Sequence, residues 1–182
     1  MTTTILLARH GETDWNRDRR VQGHSDIPLN DTGRAQARDL AKQLRSERLD
    51  AVYASDLSRA RETAEIAAAG TDLPVHELVD LRERHFGTWE GLTDDDIRAR
   101  FPESRSGPWG DGETVDEMST RIVAALRAIA AEHSGGTVLV ATHGGPVRAV
   151  LRATGVEPTS AIENCHVTHI EVARDGTLTR LD

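Results

Sequence analysis

Two histidines, each followed by glycine, stand at the ends of two apolar runs. Ile5, Leu6, Leu7 and Ala8 lead into Arg9-His10-Gly11, and residues 137–141 lead through Thr142 into His143-Gly144-Gly145. A short apolar run that stops in this way reads as a buried strand giving way to a loop. In open α/β sheets, ligands sit in the crevice beyond the carboxyl ends of the strands. A histidine placed there, after a guanidinium and before a small residue, suits attack on an anionic centre. The arginine can hold phosphate oxygens in a fork, and the glycine lets backbone approach closely. A third run, Ala51, Val52, Tyr53 and Ala54, ends at Ser55-Asp56 and opens a helix carrying Arg59 and Arg61. If the first two strands are parallel neighbours, His10 and His143 meet at one edge of the sheet. Either histidine alone reads equally well as a loop or packing residue; the signal is two histidines and at least two arginines converging from three strand ends.

The elements that must position these residues follow from periodicity. Residues 4–8 and 137–141 are nearly all apolar, as central strands covered on both faces require. Ala37, Leu40, Ala41 and Leu44 mark one face of a helix over 32–46. A second helix over 56–69 opens near Ser55 or Asp56, both good caps, and stops before Gly70. Met118, Ile122, Ala125, Leu126 and Ile129 carry a helix through 114–133, and Pro146 suits the first turn of another over 146–154. Residues 167–172 alternate as a strand, and 101–113, rich in Gly, Pro, Ser and Asp, read as a surface loop. The expected fold is α/β: a three-layer α/β/α sandwich on a largely parallel central sheet. All 182 residues fit one domain, with a short cap or loop region around 92–113.

The chain carries 30 acidic against 22 basic residues, a net charge of −8, and Lys42 is its one lysine. That balance argues against nucleic acid or an anionic membrane as partner, since both need a broad basic face. An acidic protein can still bind phosphate through a local arginine cluster. The single cysteine, Cys165, allows no intrachain disulfide. The N-terminus has no secretory pattern, and no apolar stretch approaches the roughly 20 residues that span a bilayer. A cytoplasmic protein is expected.

The chain resembles the histidine phosphatase superfamily, the phosphoglycerate-mutase-like enzymes. The matching segments begin with Arg9-His10-Gly11-Glu12-Thr13-Asp14-Trp15-Asn16 and continue through Gln22-Gly23, Pro28-Leu29 and Gly33. Residues 53–64, containing Ser55, Arg59 and Ala60, come next. Leu81-Arg82-Glu83, Gly87-Thr88-Trp89-Glu90-Gly91, Gly112-Glu113-Thr114 and Thr142-His143-Gly144 complete the ordered set. The resemblance implies a phosphate pocket of Arg9, His10, Arg59 and His143, with His10 attacking phosphorus to give a phosphohistidine that water hydrolyses. It also implies that Gly144 binds the phosphate. A neutral imidazole carries no charge toward the phosphate dianion, and nearby guanidiniums should disfavour its protonation. Arg9 and Arg59 would stabilise charge on the non-bridging oxygens, and His143, if protonated, would add a third donor.

The family pattern falls on Arg59 rather than Arg61, and two residues apart on one helix the two side chains diverge by about 200°. The family's acid maps to Glu83, which would protonate the leaving oxygen and then activate water; Arg82-Glu83-Arg84 also reads as a solvated charge run. Asn16 and Gln22, neutral donors, would steady phosphoryl or substrate oxygens. Glu113 reads as a cap of the following helix before a pocket residue, and Trp15 and Trp89 as packing. His24 stands where many members of that family carry an aromatic residue.

The implied activity is that of a metal-independent phosphomonoesterase acting on a small phosphorylated metabolite, with no cofactor. A cofactor-dependent phosphoglycerate mutase is one alternative. It must return the phosphoryl group before water intervenes, which calls for a larger lid than the short 101–113 segment supplies. A metal enzyme is disfavoured because His10-Gly11-Glu12 lacks the Pro-Cys-x-x-Cys partner of zinc deaminases. The chain also has neither a His-Glu-x-x-His zinc helix nor a Walker lysine loop. A non-catalytic module binding a phosphorylated ligand is the third alternative. Retention of His10, Arg59, Glu83 and His143 argues against it.

Overall fold

In the computed structural model, which describes residues 1–102 and 111–181, one six-stranded sheet runs through the molecule. Its strands are β1 (Thr3–Arg9), β2 (Ala51–Ser55), β3 (Val75–Leu78), β4 (Thr137–Thr142), β5 (Val167–Val172) and β6 (Leu178–Arg180), in the spatial order β3-β2-β4-β1-β5-β6. The first four in that order are mutually parallel, and β5 and β6 close the sheet antiparallel. The helices are α1 (Asp14–Arg17), α2 (Asp31–Gln43), α3 (Ser58–Ala67), α4 (Asp94–Arg100), α5 (Val115–Glu132) and α6 (Gly144–Ala153).

The apolar runs are continuous because each central strand buries both faces, with alternate residues serving opposite cores. Ile5 and Leu7 of β1, Val138 and Val140 of β4, and Tyr53 of β2 pack with Met118, Ile122, Leu126 and Ile129 of α5 and with Val147 and Val150 of α6. Leu6, Ala8, Val52, Ala54, Leu139 and Ala141 point the other way, onto Leu40 of α2 and Ala64 and Ala67 of α3. The three-layer α/β/α sandwich with its largely parallel sheet is therefore as expected.

Local chemistry departs from expectation at several helix ends. Asn30 caps α2 by accepting from Gly33 N at 2.8 Å, and Thr114 caps α5 in a capping box with Glu117. Glu113 is thus not the cap of that helix. Nor do Ser55 or Asp56 cap α3, whose N-cap position is Leu57 without a side-chain bond. Asp26, from a distant loop, accepts from Ser58 N at 2.8 Å and Ser58 Oγ at 2.7 Å. Asp56 is instead held by Arg82 in a two-pronged pair at 2.7 and 2.5 Å. Helix α6 begins at Gly144, two residues before the expected start, with His143 at its N-cap and Pro146 inside its first turn. The short α1 and β6 were not expected. Helix α4 fills part of the 92–113 region, and residues 103–110, most of the expected surface loop, lie outside the described residues.

Candidate active site

Parallel pairing of β1 with β4 sets Arg9 opposite Thr142, so the next residues, His10 and His143, leave the sheet side by side. His10 N donates to Thr142 O at 2.8 Å, extending the ladder by one step. The two imidazole rings meet edge to face, 5.1 Å between centroids. His10 is 3% exposed and His143 fully buried. The first turn of α3, reached from the neighbouring strand β2, brings in Arg59, also fully buried. Arg61 points elsewhere, toward Glu65 and Glu77 at 3.8 and 3.7 Å.

His10 Nδ1 lies 2.6 Å from Gly11 O. A carbonyl oxygen can only accept, so Nδ1 carries the hydrogen and Nε2 presents its lone pair. Burial, then the charges of Arg59 and Arg9, hold the His10 pKa well below the ordinary histidine value. The ring is therefore neutral at physiological pH. His143 is depressed in the same way by burial and by Arg59, His10 and Arg9. The His143 ring is thus neutral and offers a single N–H.

Arg59 donates from Nη1 to Ser25 O at 2.9 Å and from Nη2 to Gly23 O at 2.8 Å. Burial pulls its pKa down to about 10, against the opposing pull of Glu83, Asp26 and Glu90. It remains charged at neutral pH. Arg9 donates from Nη1 to Ile162 O. Arg9 Nε, Arg59 Nε and both ring nitrogens of His143 are buried with no hydrogen-bond partner among the described residues. An unsatisfied buried polar group costs about 1–3 kcal/mol, and a tetrahedral oxyanion presents acceptors for the two guanidinium N–H groups and for the one N–H of a neutral His143.

Gly11 is glycine for a reason within the protein. A Cβ there would stand 2.5 Å from Gly33 O, so α2 could not pack its backbone against the catalytic loop. Gly11 N in turn donates to Thr63 Oγ1 of α3 at 3.0 Å, tying the loop to the Arg59 helix. Asn16 and Gln22 turn their amide oxygens to Thr13. Asn16 Oδ1 accepts from Thr13 N at 3.1 Å, and Gln22 Oε1 from Thr13 Oγ1 at 3.0 Å. The amide nitrogen of each faces away from Thr13.

Glu83 follows the short 3₁₀ turn Val79–Leu81. Its Oε1 accepts from Arg84 N at 2.8 Å and its Oε2 from Gly145 N at 3.0 Å, which seats the carboxylate on the first turn of α6 beside His143. A Cβ at position 145 would overlap Glu83 Oε1, whereas one at Gly144 would meet Arg9 Nε only at an ordinary 3.6 Å. Glu113 is paired with Arg121 at 2.6 Å. His24 donates from Nε2 to Glu83 O at 2.9 Å. Glu90 accepts from His24 N, Ser25 N and Ser25 Oγ, and so shapes the loop that Arg59 grips.

Both the sequence and the fold recur in known proteins. A sequence profile of the histidine phosphatase superfamily, branch 1, matches residues 5–181. The chain belongs to that superfamily. This histidine phosphatase is 39% identical over 182 residues to a metal-independent phosphoserine phosphatase of Arabidopsis thaliana, covering 93% of this chain and 76% of the relative. Among solved structures, YhfR of Bacillus stearothermophilus superposes with a TM-score of 0.90 at 37% identity, covering 98% of this chain and 95% of the other. A mycobacterial glucosyl-3-phosphoglycerate phosphatase in complex with VO3 superposes at 0.87 with 26% identity, covering 98% and 96%. The enzyme is a phosphoric monoester hydrolase, and among its described residues no helix is long and apolar enough to cross a membrane.

Two contributors escaped the sequence reading. Asn164 Nδ2 donates to His10 O at 2.9 Å, and Cys165 N donates to Arg9 O at 3.0 Å, with Cys165 at φ +56°. The 162–166 segment thus clamps the Arg9-His10 backbone. Its sequence carries no periodicity or motif, and only the non-glycine positive φ marks it as constrained. Arg121, described below, is the other.

Proposed function

We propose that His10 Nε2 attacks the phosphorus of a small phosphomonoester while Glu83 gives its proton to the leaving alkoxide. The P–O bond to the alcohol breaks, the P–N bond to His10 forms, and the alcohol departs. Glu83, now a carboxylate, takes a proton from water, whose oxygen displaces the imidazole and releases inorganic phosphate. Arg9, Arg59 and the N–H of His143 hold the three non-bridging oxygens through both steps, with Asn16 and Gln22 steadying neighbouring oxygens. The carrying observation is the neutral His10, with Nδ1–H fixed on Gly11 O, beside buried N–H groups of Arg9, Arg59 and His143 that have no partner among the described residues. Charge neutralisation falls to the guanidiniums, so no metal is assigned a step.

The phosphoserine and glucosyl-3-phosphoglycerate named for two relatives are both phosphomonoesters carrying a carboxylate, and such compounds are the first substrates to test. We place the reaction in the cytoplasm, where charged phosphomonoesters are retained because they cross bilayers poorly. Neither nucleic acid nor membrane is assigned as partner, in keeping with the net charge of −8. The test is phosphate release from a panel of phosphorylated metabolites, including phosphoserine and 3-phosphoglycerate, after exhaustive chelation. Turnover that survives chelation, with a carboxylate-bearing ester preferred, is expected. Activity that returns only on adding a divalent ion would overturn the metal-free mechanism. Transfer of phosphate between positions of phosphoglycerate without release to water would favour a mutase.

A further inference from the structure

No regular element holds Glu83 in place, since the backbone from the 3₁₀ turn Val79–Leu81 to His85 forms neither helix nor strand. The side chain that makes the most hydrogen bonds to this stretch comes from α5. Arg121, in the second turn of α5, donates from Nη1 to Asp80 O at 2.8 Å and to Arg82 O at 2.7 Å, and from Nη2 to Glu83 O at 2.8 Å. Its Nε and Nη2 donate to the two oxygens of Glu113 at 2.6 and 2.7 Å. A guanidinium has five N–H groups, and all five are thereby used. Glu113 is itself fixed to the same stretch, its N donating to His85 O at 2.8 Å. On the remaining sides, Thr142 Oγ1 donates to Leu81 O at 2.7 Å and His24 Nε2 to Glu83 O.

We infer that Arg121, oriented by Glu113, is a positioning residue for the proton donor. It gathers the carbonyls of Asp80, Arg82 and Glu83 and fixes where the Glu83 backbone, and so its carboxyl group, stands relative to His10. This rests on the reading of Glu83 as general acid. Only a guanidinium fits the arrangement. The fork spans three carbonyls and a carboxylate at once, whereas an ammonium is a compact point charge with three donors. Among the described residues, the hydrogen bonds of Arg121 reach the proposed catalytic set only at the Glu83 carbonyl, so a structural role and a positioning role make different predictions.

The experiment compares wild type, Glu83→Gln, Arg121→Lys and the double variant on an alkyl phosphate and on p-nitrophenyl phosphate, whose phenolate leaves without a proton. It reads the pre-steady-state rate of phosphoryl transfer to His10, which excludes the later water step shared by both esters. General acid catalysis contributes about 10²–10⁴-fold, so Glu83→Gln should lose about that factor on the alkyl ester and far less on the aryl ester. Arg121→Lys should lose at least about tenfold more on the alkyl than on the aryl ester. It should add nothing further to Glu83→Gln, because both changes remove the same proton transfer. If Glu83→Gln slows both esters alike, the general-acid reading fails and this proposal falls with it. If Glu83→Gln is selective but Arg121→Lys slows both esters equally, or the two losses multiply, the positioning role alone is overturned. Should Arg121→Lys not fold, Glu113→Gln gives the same test. It keeps the three carbonyl bonds and loosens only the orienting pair, so a smaller but still leaving-group-dependent loss is expected, and an equal loss on both esters contradicts the proposal.

Discussion

His10 Nδ1 lies 2.6 Å from the carbonyl oxygen of the next residue, Gly11, and that contact fixes the tautomer of the ring. With the proton held on Nδ1, the lone pair of Nε2 is the only nucleophile the ring can offer. The neighbouring guanidiniums of Arg9 and Arg59 and the burial of the ring keep it unprotonated. One arrangement therefore sets the position, the tautomer and the charge of the reacting group.

Keeping two histidines neutral has a consequence for stability. The pKa values of His10 and His143 are both depressed by burial, while in the unfolded chain each should titrate near 6.5. Below that value the unfolded state takes up protons that the native state refuses. Stability is therefore complete above about pH 6.5 and falls as the pH drops, by about 1.4 kcal/mol per pH unit for each histidine. Asp56, held low by its hydrogen bonds to Arg82, acts in the same direction only near and below about pH 4. Urea unfolding between pH 7.5 and 5 should show a loss of about 2.8 kcal/mol per unit below pH 6.5, roughly halved in His10→Asn. A flat profile over that range would contradict neutral burial of the pair.

Arg59 binds protein on one side and faces the pocket on the other. Lysine cannot serve Gly23 O and Ser25 O together and still direct a donor at phosphate. Arg59→Lys should weaken vanadate inhibition at least about tenfold and lower stability by about 3 kcal/mol, the value of two charge-assisted hydrogen bonds. Inhibition constants and urea midpoints measure the two effects. An unchanged vanadate constant would remove Arg59 from the phosphate pocket.

Much of the scaffold is legible in the sequence because its causes are local. Buried parallel strands must be apolar on both faces, so Ile5 to Ala8 and residues 137–141 announce themselves, and the histidines that end them are readable for the same reason. The helix faces of α2 and α5 follow from spacing alone. What escapes is set by partners far away in the chain. Asp56 is a good local cap for α3, yet Arg82 takes it, and Asp26 caps the helix from more than thirty residues upstream. Glu113 stands where a cap is expected, but Thr114 has that place and Glu113 serves Arg121. Gly11 reads as making room for a ligand, and the structure shows it making room for Gly33. Asn164 and Arg121 carry no sequence signal, since each acts on backbone carbonyls that any residue could supply.

The most direct test of the account is whether phosphate passes through His10. Wild-type enzyme quenched with base during turnover of a ³²P-labelled phosphomonoester should carry label that survives alkali and is lost in acid, the behaviour of a P–N bond. Peptide mapping should place that label on the segment containing His10, and His10→Ala, though folded, should carry no label and show less than about a thousandth of wild-type kcat. Label that is acid-stable and maps to Ser55 or Ser58, or a His10→Ala enzyme retaining a tenth of its turnover, would contradict the account.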